Sequence, residues 1–395
     1  MNGNSSITPD LEKAFTTETR RHGDKQYRWS GKLPGHFIFS SSVLKISVKN
    51  SVFSSVSPCL RGLTVVSRLK AGLLAAAMLF VIATASSSAA MERTLKKATF
   101  IPLWSPQAQF AGYYTALDKG IYRKHGIDLT IISGGPNYST TDYLASGKAD
   151  FAVLWLTTAI QERAKGVKLT NLAQIVQKSS MMLVARKTSG IKTPADMNGK
   201  KVGLWGGDFA IPPHAFFNKF GLKVREVPQS YTVNLFLRGG IDVASAMWYN
   251  EYHTILNAGL DPDELNVFFL KDQGLDLPED GLYALEKTVL NDPDLADDFT
   301  RASLEGWDYA FAHPEEALDI IIKYMRQAKI PANRMHQKWM LARMRDLIMA
   351  PGDRNASGLL KQGAYEATGR ILLKDGVIRK VPDFGAFARR PDARR

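Results

Sequence analysis

From residue 98 onward, short apolar runs alternate with stretches whose apolar positions recur every three or four residues. The runs at 98–103, 127–132, 151–154, 172–177 and 181–185 have strand length and read as buried strands. Helical spacing at 112–119, 140–146 and 158–165 falls between the earlier ones. A second set starts at residue 201, with strands at 201–204, 224–227, 242–247 and 266–269. Helices at 212–220, 232–237 and 251–257 lie among them. Alternation of this kind predicts βαβ units and mainly parallel sheets. A strand at 282–285 is expected to return to the first set, and 292–347 reads as helical throughout. The Gly-bounded stretch 190–199 reads as a crossover on the hinge side. The expected architecture is therefore α/β, with two lobes joined by two crossings and a cleft between them. The first lobe is assigned residues 95–187 and 282–350, and the second 188–281. Residues 351–395 are assigned to a C-terminal helix and a loose, basic tail.

The first ninety residues break the pattern. Arg61, Arg68 and Lys70 precede an unbroken apolar run at 71–84, and small residues follow up to Ala90. That is the charged, apolar and small-residue order of a secretory signal peptide. The run is short for a membrane span, which needs about 20 residues. Residues 66–90 are thus expected to be a signal peptide cleaved near Ala90, which directs the chain to the periplasm. Residues 1–65 read as a disordered extension, or as a mis-assigned start with Val66 as the true beginning.

Charge has to be recounted after that trimming. The whole chain carries 51 Lys and Arg against 38 Asp and Glu. Removing the 11 basic and 4 acidic groups of residues 1–90 leaves 40 against 34, a net of +6. No concentrated basic face remains to support nucleic-acid binding. Cys59 is the single cysteine, so residues 91–395 contain neither disulfide nor thiolate metal site. The motifs G-x-S-x-G, H-E-x-x-H and G-x-x-x-x-G-K-[ST] do not occur, and the seven histidines show no metal-like pairing. No cofactor and no metal is expected.

In α/β units ligands bind beyond the carboxyl ends of strands, where helices begin. That rule selects Trp104, Gln107, Tyr113 and Tyr114 after the first strand, Gly135 and Asn137 after the second, and Trp155 and Thr157 after the third. In the second lobe it selects Trp205, Gly207, Asp208 and Phe209, then Trp248, Tyr249 and Glu251. Aromatic side chains at several strand ends suit a flat ring, which they can stack on while a few polar groups orient it. Each has a plainer role open to it. One of the adjacent Tyr113 and Tyr114 must face the core, Trp155 can plug the lobe interface, and Asp208 can cap the helix that follows. Asp150 and Asp242 read as strand–turn residues. His214 and His253 fall near the cleft, where surface or core placement competes with ligand binding.

Four segments in order then resemble a family of periplasmic solute-binding proteins that includes alkanesulfonate binders and the binders and makers of the thiamine pyrimidine. They are QFAGYYTALDKGIYRKHGIDLTI, LASGKADFAV, ARKTSGIKTPADMNGKKVGLWGG and GGIDVASAMWYNE, and with them the resemblance covers most of 95–325. It implies the two-lobed type II periplasmic binding protein fold. It implies a monomer that binds a small aromatic heterocycle and docks on an inner-membrane ABC permease with its ATPase. A thiamine pyrimidine precursor of the hydroxymethylpyrimidine or formylaminopyrimidine type is the first expectation, with riboflavin, sulfonates and other aromatic ligands as alternatives. The resemblance also raises a pyrimidine synthase, whose family members use pyridoxal phosphate, a Lys and a His after the SGKxD segment, and a Cys-rich iron-binding run. This chain has Leu154 and Thr158 at those two positions and no cysteine beyond 59. The expectation is a binder, not an enzyme.

Overall fold

A computed structural model describes residues 94–349 and 358–389. The signal-peptide reading and the leading segment lie outside the described residues. The ten expected strands all form: β1 Lys96–Ile101, β2 Ile127–Ile131, β3 Phe151–Trp155, β4 Leu169–Gln174, β5 Met181–Arg186, β6 Lys201–Leu204, β7 Arg225–Pro228, β8 Val243–Met247, β9 Leu265–Phe269 and β10 Asp280–Leu285. The helices are α1 Ala111–Asp118, α2 Ile121–Lys124, α3 Thr140–Ala145, α4 Leu156–Ala164, α5 Ile211–Phe220, α6 Asn234–Leu237 and α7 Glu251–Asn257. They continue as α8 Glu286–Asn291, α9 Pro293–Ala312, α10 Pro314–Gln327, α11 Arg334–Ile348, α12 Gln362–Lys374 and α13 Phe384–Phe387. No helix among the described residues is long and apolar enough to cross a membrane.

Two five-stranded sheets organise the chain, in the orders β2-β1-β3-β10-β4 and β7-β6-β8-β5-β9. They are mixed. The βαβ units give parallel pairs β1–β2, β1–β3, β6–β7 and β6–β8, but β10 runs antiparallel to β3 and β4, and β5 antiparallel to β8 and β9. The pairing is thus less parallel than the alternation predicts, because β5 and β10 arrive by crossing from the other sheet.

This topology moves the crossings. The expectation placed 181–185 in the first lobe and the crossover at 190–199. β5 instead lies inside the second sheet, between β8 and β9. The chain crosses between β4 and β5 and returns between β9 and β10. An all-apolar strand such as β5 carries no mark of which sheet it will enter. The 190–199 stretch is a surface turn, with a capping box at Thr193 and Asp196. The real crossings are cross-tied: Glu279 accepts from Ser180 N at 2.6 Å and Ser180 Oγ at 2.8 Å, and Asp276 accepts from Ser179 N at 2.8 Å.

Two features hold the first lobe behind the site. Phe299 of α9 stacks on Phe151 of β3 at 3.9 Å and 4°. α9 also lies close on α1, through Gly112 beneath Trp307 and Gly306 against the Gly112 carbonyl. The tail expected to be loose is docked as far as residue 389. Phe387 is fully buried against Tyr283 and Tyr365, and Arg389 forks onto Asp297 at 2.9 Å through both Nε and Nη2. Phe387, with Phe384 packed beside it on Tyr365, supplies the apolar anchor that the polar composition of the segment conceals.

Candidate ligand-binding site

A cleft with a cavity of about 80 Å³ opens between the two sheets, most of its width taken up by the aromatic side chains that line it. From the first lobe it is lined by Leu103 and Trp104 after β1, Gln107 and Gln109 on the turn leading to α1, and Trp155 at the end of β3. From the second lobe come Trp205 after β6, Phe209, Tyr231 after β7, and Met247, Tyr249, Asn250 and Glu251 after β8. The local reasons are readable. Trp155 ends its strand in extended backbone as the N-cap of α4, which turns its ring out of the sheet. Gly207 takes φ 64°, a left-handed angle that costs glycine little, and swings Phe209 inward.

Phe209 stands at the centre of three indoles and edge-on to each. Ring centroids lie 4.8 Å from Trp155, 6.4 Å from Trp104 and 6.4 Å from Trp205, with interplanar angles of 84°, 77° and 78°. Tyr231 closes on Trp104 at 4.6 Å while remaining 52% exposed, so it sits at the mouth. The indole N–H of Trp205 is buried and unpartnered, whereas that of Trp155 is buried beside the Asp280 carboxylate behind the lining. A buried donor without a partner costs about 1–3 kcal/mol, and a ligand acceptor recovers it.

The floor is acidic. Glu251 accepts from Met247 N at 3.0 Å and from Asn250 Nδ2 at 2.8 Å, and burial raises its carboxyl to about 7. Asp280, behind the lining, accepts from Gln109 Nε2 at 2.8 Å, and burial raises it to about 7 as well. Glu279 in the crossing is raised to about 8, again by burial. The Tyr249 phenol is held far above its usual range by burial and by the nearby carboxylates of Asp280, Glu279 and Glu251.

Seven of the residues selected from the sequence line this cleft: Trp104, Gln107, Trp155, Trp205, Phe209, Tyr249 and Glu251. The others lie elsewhere. Tyr113 is buried between Phe100 and Trp307, and Tyr114 packs on Tyr324, so both of the adjacent pair face core. The first turn of α1 is covered on two sides, by β1 and by α10. Gly135 approaches Ser105, and Asn137 is exposed away from the lining. Thr157 is buried on α4 with its hydroxyl unpartnered. Gly207 and Asp208 belong to the turn that carries Phe209, and Asp208 does not cap α5. Trp248 points out of the cleft, under Arg343 at 4.7 Å and Lys271 at 5.4 Å and against Phe269. Its neighbour Tyr249 takes the inward position. Asp150, just before β3, accepts from Thr99 N inside β1, and Asp242, just before β8, accepts from Lys201 N at the start of β6, as their strand–turn reading expects.

Sequence reasoning missed Leu103, Gln109, Tyr231, Met247 and Asn250. Gln109 is masked by its apolar neighbours Ala108 and Phe110, and Tyr231 lies just past β7, a short and mostly exposed edge strand. His214 pairs with Glu226 at the surface. His253 meets His336 of α11, with 2.9 Å between the Nδ1 atoms. His336 Nε2 lies 2.9 Å from Asn250 Oδ1, and Trp339 Nε1 donates to the Trp248 carbonyl at 3.0 Å. Because Gln337 of the same helix accepts from Ala108 N at 2.7 Å, α11 spans both lobes beside the cleft.

The two lobes around one aromatic cleft define a solute-binding architecture of the type II periplasmic kind, and the comparisons with known proteins agree. The NMT1/THI5-like family matches residues 107–317, and the chain belongs to it. It is 24% identical over 257 residues to the riboflavin-binding protein RibY of Chloroflexus aurantiacus, covering 62% of this chain and 72% of that one. It is 23% identical over 265 residues to a 4-amino-5-hydroxymethyl-2-methylpyrimidine phosphate synthase of Legionella pneumophila, covering 61% and 78%. A formylaminopyrimidine-binding protein of Halalkalibacterium halodurans shares 22% over 266 residues, covering 65% and 78%. The fold matches the crystal structure of the periplasmic aliphatic sulphonate-binding protein SsuA of Escherichia coli with a TM-score of 0.58 at 14% identity, covering 75% and 92%.

Pyridoxal phosphate, which the synthase resemblance implies, does not fit this chain in the same way. Leu154, at the position of the Schiff-base lysine, is fully buried in the apolar cluster on the opposite face of β3 from Trp155. Thr158, at the position of the histidine, is half-buried on α4.

Proposed function

We propose that this protein is the periplasmic ligand-binding component of an ATP-driven importer and takes a small, flat, uncharged heterocycle, with a thiamine pyrimidine precursor first. The observation that carries the reading is the cage of Trp104, Trp155 and Trp205 around a slot now filled by Phe209, over a floor of buried carboxylates. Indoles from both lobes hold a ring by stacking, and the unpartnered Trp205 N–H on the second lobe rewards a ring nitrogen or carbonyl. Above about pH 7, where Glu251 and Asp280 ionise, the floor repels a sulfonate, because charge interactions in a desolvated cleft are poorly screened. The relatives named for formylaminopyrimidine, hydroxymethylpyrimidine phosphate and riboflavin support a nitrogen heterocycle.

Binding biases an open–closed equilibrium between lobes, and the closed form is the one presented to a permease. The protein works as a monomer, exported by the 66–90 segment and starting near Met91. N-terminal sequencing of protein from its own cells checks the export; a cytoplasmic chain that keeps residues 1–65 overturns it. Calorimetry against 4-amino-5-hydroxymethyl-2-methylpyrimidine, its formylamino counterpart, riboflavin and an alkanesulfonate tests the ligand class. A pyrimidine is expected to bind tightest, and preference for the sulfonate sinks the reading. The purified protein is also expected to form no borohydride-reducible adduct with pyridoxal phosphate. Such an adduct, with loss of a histidine from the protein's own mass, would restore the synthase.

A further inference from the structure

The cleft floor contains a directional chain of hydrogen bonds that begins outside the lining. Asp280 opens β10 directly across from Trp155 in the antiparallel register with β3. It is 3% exposed. Its Oδ2 accepts the Gln109 Nε2–H at 2.8 Å. Its Oδ1 is buried, with the Trp155 indole N–H beside it but outside hydrogen-bond geometry. Gln109 Oε1 in turn accepts from Gln107 Nε2 at 2.7 Å. Gln107 lines the cleft, and its remaining oxygen has no partner among the described residues.

A primary amide donates at one end and accepts at the other, whereas an ionised carboxylate only accepts. The amide orientations are therefore not independent. With Asp280 ionised, Gln109 must turn its nitrogen down. Its oxygen then faces Gln107, which must offer nitrogen to it and present oxygen to the cleft. Each step follows from the one below. We infer that Asp280 is a specificity-determining positioning residue: through Gln109 and Gln107 it makes the first lobe's wall a hydrogen-bond acceptor, so the site takes a ring edge that donates, such as an exocyclic amine or an imide N–H, over one that only accepts. This rests on the cleft being the ligand site, as proposed above, and it narrows the ligand class within that reading.

The chain has a built-in way to lose its direction. A neutral carboxyl can donate as well as accept, which lets both amides reverse. Burial raises Asp280 to about 7, against the lowering effect of Gln109 and Trp155. The titratable groups around it are Glu279, which precedes it and is held by Ser179 and Ser180, and the phenols of Tyr249, Tyr113 and Tyr283, with Glu251 beyond Tyr249. Ionisation of Glu279 works against that of Asp280.

The test compares the full chain with Asp280→Asn, in which residue 280 can present either an oxygen or a nitrogen. In the ligand-free protein, the ¹⁵N side-chain amide signals of Gln107 and Gln109 are followed through pH 7, assigned with Gln107→Met and Gln109→Met. Both are expected to titrate together near pH 7 in the wild type and to stand still in Asp280→Asn. Two ligand pairs differ only at the donor: 4-amino-5-hydroxymethyl-2-methylpyrimidine against its 4-methoxy analogue, and riboflavin against its N3-methyl derivative. Above pH 7 the wild type is expected to favour the donor-bearing member of a pair by about tenfold or more. In Asp280→Asn that ratio should fall to about threefold or less. A merely structural role weakens both members alike and leaves the ratio unchanged, which overturns the inference. Amide signals that ignore pH, or that titrate equally in Asp280→Asn, overturn it as well. If no compound binds the wild type, the ligand reading falls, and the amide titration still decides the relay.

Discussion

Single side chains in this cleft are separated by whether their ring or their neighbour's turns inward. Trp155 and Trp248 both end a strand and both precede a helix, so they look alike in sequence. Trp155 is buried in the lining, whereas Trp248 turns away beneath the Arg343 guanidinium. Trp155→Ala is therefore expected to weaken ligand binding by about 1–3 kcal/mol, the range for losing a buried aromatic contact. Trp248→Ala is expected to leave affinity nearly unchanged and to lower stability by loosening α11, whose Arg343 packs on the Trp248 ring. Calorimetry on both variants checks this, and equal losses of affinity contradict the assignment. The pair shows why strand-end logic finds the neighbourhood of a site but not its members. Successive residues leave a strand in opposite directions, and the exit angle after the last ladder bond is a matter of loop geometry.

Among the elements, the packing of α1 on α9 is where the tolerance is smallest. A methyl at residue 112 would come within 2.3 Å of the Trp307 ring, and one at residue 306 within 2.3 Å of the Gly112 carbonyl. Neither backbone has room to yield without shifting α1, which follows directly from the turn carrying Gln107 and Gln109. Gly112→Ala and Gly306→Ala are each expected to cost about 1–3 kcal/mol in denaturant unfolding, an overpacking magnitude. Gly363→Ala, at an open position in α12, serves as a control and should be neutral or slightly stabilising. Cost at 363 equal to that at 112 would refute the close-packing argument. The helical spacing of α1 and α9 is plain in the sequence. That two glycines meet across them is not, since a glycine reads the same in a contact as in a turn.

At the scale of the molecule, the two crossings act as one tied hinge. Glu279 holds Ser179 and Ser180 of the opposite crossing, and burial raises its carboxyl to about 8. A folded-state pKa above the unfolded value means that the folded protein binds the extra proton. Its stabilising contribution is complete below the unfolded pKa and is lost as pH rises through about 8. Glu251 and Asp280 act in the same direction. His336 acts in the opposite one, because burial and His253 lower it to about 4, and its contribution is lost as pH falls. Measurement between about pH 6.5 and 8 isolates the carboxylates. The melting temperature is expected to fall by roughly a few degrees across that window, and the fall should be shallower in Glu279→Gln. An equal slope in both proteins would show that the tie does not titrate.

At every scale the order and type of elements follow from periodicity. All ten strands and the principal helices are legible, because a strand buried on both faces reads as a short unbroken apolar run and a helix that buries one face repeats every 3.6 residues. The family resemblance is legible too, since its motifs sit at turns where backbone geometry restricts residue choice. Half of the candidate site was readable for the same reason, in Trp104, Gln107, Trp155, Trp205, Phe209, Tyr249 and Glu251. What pattern could not supply is long-range: which sheet β5 joins, that both Tyr113 and Tyr114 are core, that Phe387 anchors the tail, and that Asp280 lies beneath Gln109. Each depends on contacts between residues far apart in the chain, and such contacts leave no local period. They exist only once the lobes have packed and the cleft between them has a floor.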